Sequence, residues 1–364
     1  MIIKVNEPID MKTLHAIILL LVITISSCSK DDPISPNDPN QNELFLRTLA
    51  ISGNDIYACG HFYSIGGVSA NNIAKWNASG WSALGSGLNS TVSSAVINGN
   101  DVYVTGVFTI AGAGGIAKWN GSDWSALGSG LNVSSGYLNS IAMSGNDVYV
   151  GGGFDTIGGV SANSIAKWNG STWSALGNGI QYSIFSWVEA VIVHGEDIYA
   201  GGQFYEAGGE SVNNIAKWKD STWSALGNGL NNLVYAVAVN DSFVYAGGDF
   251  YYTGGTIAKR IAKWDGSEWT ELGGGTDGSV HTIAVNGNDV YVGGGFDIIG
   301  GVKANRIAKW DGTGWSALGS GLNNLVRSIV VNGSDVYACG DFTEAGGVSV
   351  NHIAKWNGSE WSSF

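Results

Sequence analysis

The sequence predicts an all-β fold: a seven-bladed β-propeller of four-stranded antiparallel blades. One unit recurs seven times, and each copy contains Ile-Ala-Lys-Trp ending at Trp76, Trp119, Trp168, Trp218, Trp264, Trp310 and Trp356. A second tryptophan follows five residues after each of these. A period near 46 residues with four short strand-like segments is typical of propeller blades.

The composition excludes several other classes of protein. The chain has 364 residues, with 56 glycines and only 13% charged residues. Helical bundles and coiled coils tolerate this much glycine poorly. The net charge of −13 would repel phosphate, so we expect no nucleic-acid partner.

The sixth repeat shows the order of elements within a blade. Strand a is predicted at Val280–Asn286, strand b at 290–296, strand c at 306–310 and strand d at 315–318. Asn-Gly at 286–287 supplies the positive φ of a tight a–b turn. With strand a innermost, the repeats are in phase with the blades, so the ring closes without a borrowed terminal strand. The propeller spans 44–364, with blades at about 44–86, 87–129, 130–178, 179–228, 229–274, 275–320 and 321–364.

The repeats resemble kelch propellers. The resemblance rests on an apolar-Tyr-x-Gly-Gly run in strand b, such as Tyr199 to Gly202, and on the aromatic pair around the c–d turn. Three departures make it a loose match. Strand c carries tryptophan where kelch usually has tyrosine, the c–d turn is shorter, and the Gly-Gly doublet is Cys-Gly or Thr-Gly in three blades.

The first 43 residues predict an export and anchoring signal. Residues 1–28 combine a short apolar run with Ile25-Ser26-Ser27-Cys28, which resembles a bacterial lipobox, and Met11 is an alternative start. Residues 29–43 carry three of the four prolines and are predicted to be a disordered tether. Lys30-Asp31-Asp32 resembles the surface-export signal of Bacteroidota lipoproteins. These features predict lipidation at Cys28 and location at the outer membrane or cell surface of a Gram-negative bacterium, with membrane contact only through the lipid. An ordinary secretory signal is the alternative.

Connection lengths differ between the two faces of the ring. The a–b and c–d turns keep one length in all seven repeats, whereas the b–c and d–a connections vary. In an up-and-down blade the two variable connections share one face, which we name the loop face; the other is the turn face. The longest insertion, 177–188, adds Tyr182, Phe185 and Trp187. Repeat proteins commonly place ligand contacts on one such face.

Two positions on the loop face change identity around the ring. The second residue of the predicted strand a is Arg47, Ser93, Asn139, Glu189, Tyr235, His281 and Arg327 in blades 1 to 7. The residue before the strand b phenylalanine is His61, Val107, Gly153, Gln203, Asp249, Gly295 and Asp341. The predicted ligand-binding residues are Arg47, His61, Asn139, Trp187, Glu189, Gln203, Tyr235, Asp249, His281, Arg327 and Asp341. Aromatic rings among mixed polar groups suit a glycan, a peptide or a surface protein. Neutral drift at exposed positions is the alternative.

No local motif indicates catalysis, a metal or a cofactor, so we expect none. A propeller enzyme acting on an extracellular polysaccharide or glycan is one alternative, because such sites assemble from separate blades. A scaffolding protein of the envelope is another. The lysine that recurs in strand c is expected to be structural rather than part of an anion site. Cys59 and Cys339 occupy equivalent positions in blades 1 and 7; buried free thiols are expected, with a disulfide clasp as the alternative.

Overall fold

The computed structural model describes residues 44–132, 136–181 and 186–364, and it confirms the predicted architecture. These residues form seven sheets of four antiparallel strands, each ordered a-b-c-d. Each strand a contacts the strands a of both neighbouring blades, and that of blade 1 contacts that of blade 7. The ring is therefore closed, and strand a is innermost.

The strand boundaries agree with the predicted pattern in every blade. Strand a spans Phe45–Ser52, Val92–Asn98, Tyr137–Ser144, Trp187–His194, Val234–Val239, Val280–Asn286 and Val326–Asn332. Strand b spans Asp55–His61, Asp101–Ile110, Asp147–Gly153, Asp197–Gln203, Val244–Gly248, Asp289–Gly294 and Asp335–Gly340. Strand c spans Ile73–Asn77, Ala113–Trp119, Ile165–Trp168, Ile215–Lys219, Ile261–Trp264, Ile307–Trp310 and Ile353–Trp356. Strand d spans Gly80–Ala83, Trp124–Ala126, Trp173–Ala175, Thr222–Ala225, Trp269–Glu271, Trp315–Ala317 and Trp361–Ser362.

The b–c connections contain an element that the sequence did not predict. Six of them fold into a small two-stranded hairpin, and the strand pairs are Ser64–Ile65 with Val68–Ser69, Thr156–Ile157 with Val160–Ser161, Glu206–Ala207 with Glu210–Ser211, Tyr252–Thr253 with Thr256–Ile257, Ile298–Ile299 with Val302–Lys303, and Glu344–Ala345 with Val348–Ser349. In blade 2 strands b and c extend instead and pair through Thr109 and Gly114. This explains why the connection of blade 2 is the shorter one.

The repeated tryptophans join neighbouring blades. The indole Nε1 of Trp124 donates to the backbone carbonyl of Leu84 in the preceding blade, at 2.8 Å. The same bond, at 2.8–3.1 Å, is made by Trp173, Trp223, Trp269 and Trp361. A buried hydrogen bond of this kind contributes about 1 kcal/mol, and each tryptophan also buries its ring between two sheets.

The strand c lysines are structural, as expected. Lys309 Nζ lies 2.7 Å from Asp289 Oδ2 of its own blade and 5.7 Å from the ring centroid of Tyr291. The equivalent pairs are Lys75–Asp55, Lys118–Asp101, Lys167–Asp147, Lys217–Asp197 and Lys355–Asp335. In blade 5 phenylalanine replaces the aspartate, and Lys263 lies 4.6 Å from the Phe243 ring centroid.

Cys59 and Cys339 are buried free thiols, so the favoured expectation is confirmed. Cys59 packs in the cluster that contains Val92 of blade 2, whereas Cys339 packs with Leu46 of blade 1. The two side chains thus serve different interfaces between blades, and this separation explains why they form no clasp. Burial raises the pKa of both thiols.

Side-chain bonds tie the turn face together around the channel. Asn286 Nδ2 donates to the carbonyl of Gly333 in the next blade at 2.8 Å, and Asn332 does the same to Gly53 of blade 1. Asn98 makes the equivalent bond to Gly145 at 3.0 Å. In blades 2, 6 and 7 the a–b turn therefore has a structural task.

Candidate functional site

Each strand a carries a β-bulge near its loop-face end. In blade 6, Val280 pairs with Gly294 and Thr282 pairs with Gly293, so the register of the two strands shifts at His281. The bulge residues of the seven blades, which we name the bulge ring, are Arg47, Ser93, Asn139, Glu189, Tyr235, His281 and Arg327. All seven are half-buried. These are the strand a positions whose identity changes around the ring. Bulges often re-aim side chains at functional sites.

The bulge also explains an invariant glycine. A Cβ on Gly294 would lie 2.1 Å from the carbonyl oxygen of Ser279, the residue two before the bulge. The equivalent distance is 2.0–2.2 Å at Gly60, Gly106, Gly152, Gly202, Gly248 and Gly340. The second residue of the strand b doublet must therefore be glycine, whereas the first can be Cys59 or Thr105.

Bulge residues of blades 3 and 4 contact each other. Asn139 Nδ2 donates to Glu189 Oε2 at 2.9 Å, and Trp187 Nε1 donates to the same oxygen at 3.1 Å. Trp187 is half-buried and pairs in register with Gln203. Its indole is thus fixed by a carboxylate rather than projecting from an insertion. Tyr182 and Phe185 lie outside the described residues.

Blades 5 and 6 form a second cluster. The Tyr235 hydroxyl donates to Asp249 Oδ2 at 2.8 Å, and the Ser279 hydroxyl donates to Asp249 Oδ1. The rings of Tyr235 and His281 stack with centroids 4.5 Å apart and planes 12° apart. The predicted residues Tyr235, Asp249 and His281 therefore form one unit.

Blades 7 and 1 supply the two arginines of the mouth, and blade 2 contributes Thr91. Arg327 pairs with Asp341, and its guanidinium lies 4.4 Å from the ring centroid of Phe45. The guanidinium of Arg47 lies 5.6 Å from the same centroid. His61 Nδ1 is 3.3 Å from the Thr91 hydroxyl, and burial lowers the pKa of His61.

One column of residues at the mouth was missed by the sequence analysis. It lies two residues before each bulge and comprises Phe45, Thr91, Tyr137, Trp187, Leu233, Ser279 and Leu325. Phe45, Thr91, Trp187 and Ser279 all contact predicted residues. Its variation around the ring was the available signal, but only Trp187 was selected, because it lies in the longest insertion.

The loop face also carries the exposed apolar side chains. Among the described residues, the large hydrophobic side chains classed as exposed are Tyr63, Val107, Tyr205, Tyr251, Tyr252, Ile257, Ile298 and Val348. Val107 lies in the extended strand b of blade 2, and the other seven lie in the b–c connections. The turn face carries none of these eight. Exposed apolar surface rimmed by polar groups is typical of interaction sites.

Two cavities of about 360 and 390 Å³ lie between blades 1 and 2 and between blades 7 and 1, and no bulge-ring residue lines either. In the described part of the chain, no group of three histidine, cysteine or carboxylate residues is arranged to hold a metal ion. No helix found there is long and apolar enough to cross a bilayer. The arrangement offers hydrogen-bonding groups and rings to a ligand held against the face.

Comparisons with known proteins establish the fold class. No family model and no curated protein matches the chain. The WD40 β-propeller domain of Doa1 superposes with a TM-score of 0.57 at 11% identity, over 88% of this chain and 93% of that chain. An extracellular domain of BT4673 from B. thetaiotaomicron gives 0.54 at 10% identity, over 86% of this chain and 38% of that longer one. YCF48 bound to D1 peptide gives 0.50 at 14% identity, over 76% and 82%. The protein is a seven-bladed β-propeller, and these likenesses concern the fold alone.

Proposed function

We propose that this chain is a cell-surface lipoprotein whose propeller is a binding module. Its ligand is a glycan, a peptide or a partner protein, and the ligand binds at the loop face. One observation carries the proposal: every large hydrophobic side chain classed as exposed among the described residues lies on that face. Neutral drift would vary these positions but would not collect apolar groups on one side.

The mouth has the features of a specific site. Seven identical bulges present seven positions filled by six residue types. Several of these side chains are held by neighbours, as in the Asn139–Glu189 and Tyr235–Asp249 bonds. Groups that are already fixed lose little entropy on binding. The resemblance of the repeat to kelch propellers does not identify the ligand.

The binding role is tested by screening the full-length protein on glycan and peptide arrays. We expect retention of one ligand class without turnover, and loss of that retention when Tyr235 and Arg327 are replaced by alanine. Turnover of the retained ligand would indicate an enzyme, and the absence of any retained ligand would favour a scaffolding role.

The anchoring role is tested separately. Cys28 and the export signal lie outside the described residues, so this part rests on the lipobox-like sequence. Replacing Cys28 by serine should move the protein from the membrane fraction to the soluble fraction. Retention of that variant in membranes after a carbonate wash would contradict lipid anchoring.

A further inference from the structure

The charged side chains of the mouth are segregated around the ring. Three columns form the mouth: the bulge ring, the residues before the strand b phenylalanines, and the residues two before each bulge. In blades 3 to 6 these columns contain the acids Glu189 and Asp249 and no lysine or arginine, which gives a charge of −2 with histidine neutral. In blades 7, 1 and 2 they contain Arg47, Arg327 and Asp341, which gives +1. The acidic side of the mouth therefore lies on blades 4 and 5.

Both carboxylates are held by uncharged donors. Glu189 accepts a side-chain amide and the indole of Trp187. Asp249 accepts two hydroxyls, one of them from Tyr235. These bonds fix the carboxylates but do not neutralise them. A carboxylate has about four acceptor sites, and in the part of the chain that the structure describes Asp249 forms no ion pair. Asp249 therefore retains acceptor sites and a negative charge for a ligand.

Aromatic rings accompany these carboxylates. The indole of Trp187 bonds to Glu189. The hydroxyl of Tyr235 bonds to Asp249, and the imidazole of His281 stacks on Tyr235 with centroids 4.5 Å apart. The face of an aromatic ring attracts a cation through its quadrupole, and a carboxylate forms strong charge-assisted hydrogen bonds with ammonium and guanidinium groups. Rings and carboxylates on three consecutive blades thus match an organic cation. We name Trp187, Glu189, Tyr235, Asp249 and His281 the aromatic–acidic arc.

Cations elsewhere on the loop face of blades 4 to 6 do not cancel this charge. Four lie in the b–c connections of blades 5 and 6: Lys259, Arg260, Lys303 and Arg306. Arg306 pairs with Asp297, and Arg260 donates to the carbonyl of Thr276. With the arc included, the same face of these three blades carries six carboxylates: Glu189, Glu206, Glu210, Asp249, Asp277 and Asp297. Six acids against four bases leave this side of the loop face negative.

We propose that the aromatic–acidic arc binds a basic side chain, lysine or arginine, of another polypeptide. The inference rests on the proposed function, because it takes the mouth as the binding site and names the group that is recognised there. The cation lies against Asp249 and Glu189, and its alkyl stem packs along the rings of Tyr235 and Trp187. Because the carboxylates are already oriented by their donors, they lose little entropy when the cation binds.

A basic side chain fits this arc better than an amino sugar. Glu189 and Asp249 are half-buried, and lysine and arginine carry their charge at the end of a long stem that reaches a recessed carboxylate. The ammonium of an amino sugar is attached directly to its ring and has no such reach. Arg47 and Arg327 on the other side of the mouth disfavour a second cation there, so they orient the ligand.

The proposal is tested by calorimetric titration of the full-length protein at neutral pH. The probes are tetralysine, tetra-arginine, tetraglutamate and kanamycin, which is a cationic amino-sugar compound. We expect the two basic peptides to bind, with an affinity that falls as salt is added, and tetraglutamate not to bind. Kanamycin should bind more weakly than tetralysine.

Matched variants locate the binding. Glu189→Gln/Asp249→Asn keeps both shapes and removes both charges, so the affinity for tetralysine should fall about tenfold or more. Asp155→Asn/Glu344→Gln removes two exposed carboxylates from the b–c connections of blades 3 and 7 and should change that affinity by less than about twofold. Both double variants remove the same net charge, so their comparison separates a defined site from general attraction to an acidic chain. Gln203→Glu adds a carboxylate at the strand b position paired with Trp187 and should raise the affinity, a gain that misfolding cannot produce.

Several results would overturn the proposal: equal losses in the two double variants, unchanged affinity in Glu189→Gln/Asp249→Asn, or binding of tetraglutamate. Kanamycin bound as tightly as tetralysine would indicate an amino sugar and would overturn the assignment to a polypeptide. Failure of the proposed function looks different, because the array ligand would then be retained when Tyr235 and Arg327 are replaced. If only the present inference fails, that ligand is lost in the Tyr235 and Arg327 variant but carries no basic group and is bound normally by Asp249→Asn.

Discussion

Arg327 and Asp341 form a two-point ion pair at the mouth of the channel, with Nε to Oδ1 at 2.8 Å and Nη2 to Oδ2 at 3.0 Å. Arg327 is the bulge residue of blade 7, and Asp341 precedes the strand b phenylalanine of the same blade. The bulge position and the position before the strand b phenylalanine therefore bond to each other within blade 7. Blade 5 shows the same coupling, because the bulge residue Tyr235 bonds to Asp249.

This coupling predicts the effect of removing one charge. Asp341→Asn keeps the shape of the side chain but weakens the hold on Arg327. We expect stability to fall by no more than about 1 kcal/mol, because the pair is partly exposed, while the affinity for the ligand found on the arrays falls clearly. Chemical denaturation and ligand titration measure the two effects. Asp335→Asn, which breaks an ion pair near the turn face, is the matched control and should leave affinity intact.

The bulge predicts opposite outcomes at two adjacent glycines. Gly294→Ala places a Cβ 2.1 Å from a backbone oxygen, whereas a Cβ on Gly295 would meet only Leu325, at 3.6 Å. We expect Gly294→Ala to cost more than about 2 kcal/mol, since the backbone must shift, and Gly295→Ala to be nearly neutral. Denaturation midpoints measure both. Equal tolerance of the two replacements would mean that the bulge is not rigid.

Much of the fold was predictable because each blade repeats the residues that join it to its neighbours. The paired tryptophans are such residues, and their spacing predicted strand number, strand order and ring closure. The bulge was not predictable. It adds one residue to strand a in every blade, so the spacing between equivalent residues is the same in all repeats. The hairpins were missed because strands of two residues are too short to show an alternating pattern.

The candidate site was predicted only in part. Variation around the ring identified Arg47, Glu189 and His281, which lie where the register of strands a and b shifts. Variation cannot show which residues meet in space. The hydrogen bond from Ser279 to Asp249 and the packing of Phe45 against Arg327 depend on the relative positions of neighbouring blades.

The lysine–aspartate pairs predict a loss of stability at alkaline pH. The pKa of Lys309 is raised above its ordinary 10.5, mainly by the hydrogen bond to Asp289. A raised pKa means that the folded chain holds this proton more tightly than the unfolded chain. The stabilisation is therefore complete below pH 10.5 and is lost as pH rises through the raised pKa. Denaturation of Asp289→Asn should show a shallower decline above pH 10, with a cost of about 0.5 kcal/mol at neutral pH because the pair is partly exposed. If Asp289→Asn and the unmodified protein lost stability equally above pH 10, a stabilising role of these pairs would be contradicted.

The central claim is that the loop face binds and the turn face holds the ring together. One variant set replaces by alanine the mouth residues Trp187, Tyr235 and Arg327. Its partner set replaces the turn-face residues Asn98, Asn120 and Asn286, of which Asn98 and Asn286 bond to the next blade. Each lost hydrogen bond should cost about 1 kcal/mol in either set, so stability alone does not separate them.

The decisive measurement is the affinity of both sets for the ligand retained on the arrays, determined by titration at a temperature where both are folded. The mouth set should lose binding, and the turn-face set should bind like the unmodified protein despite a lower melting temperature. Unchanged affinity in the mouth set, or equal loss in both sets, would contradict the assignment of the binding face.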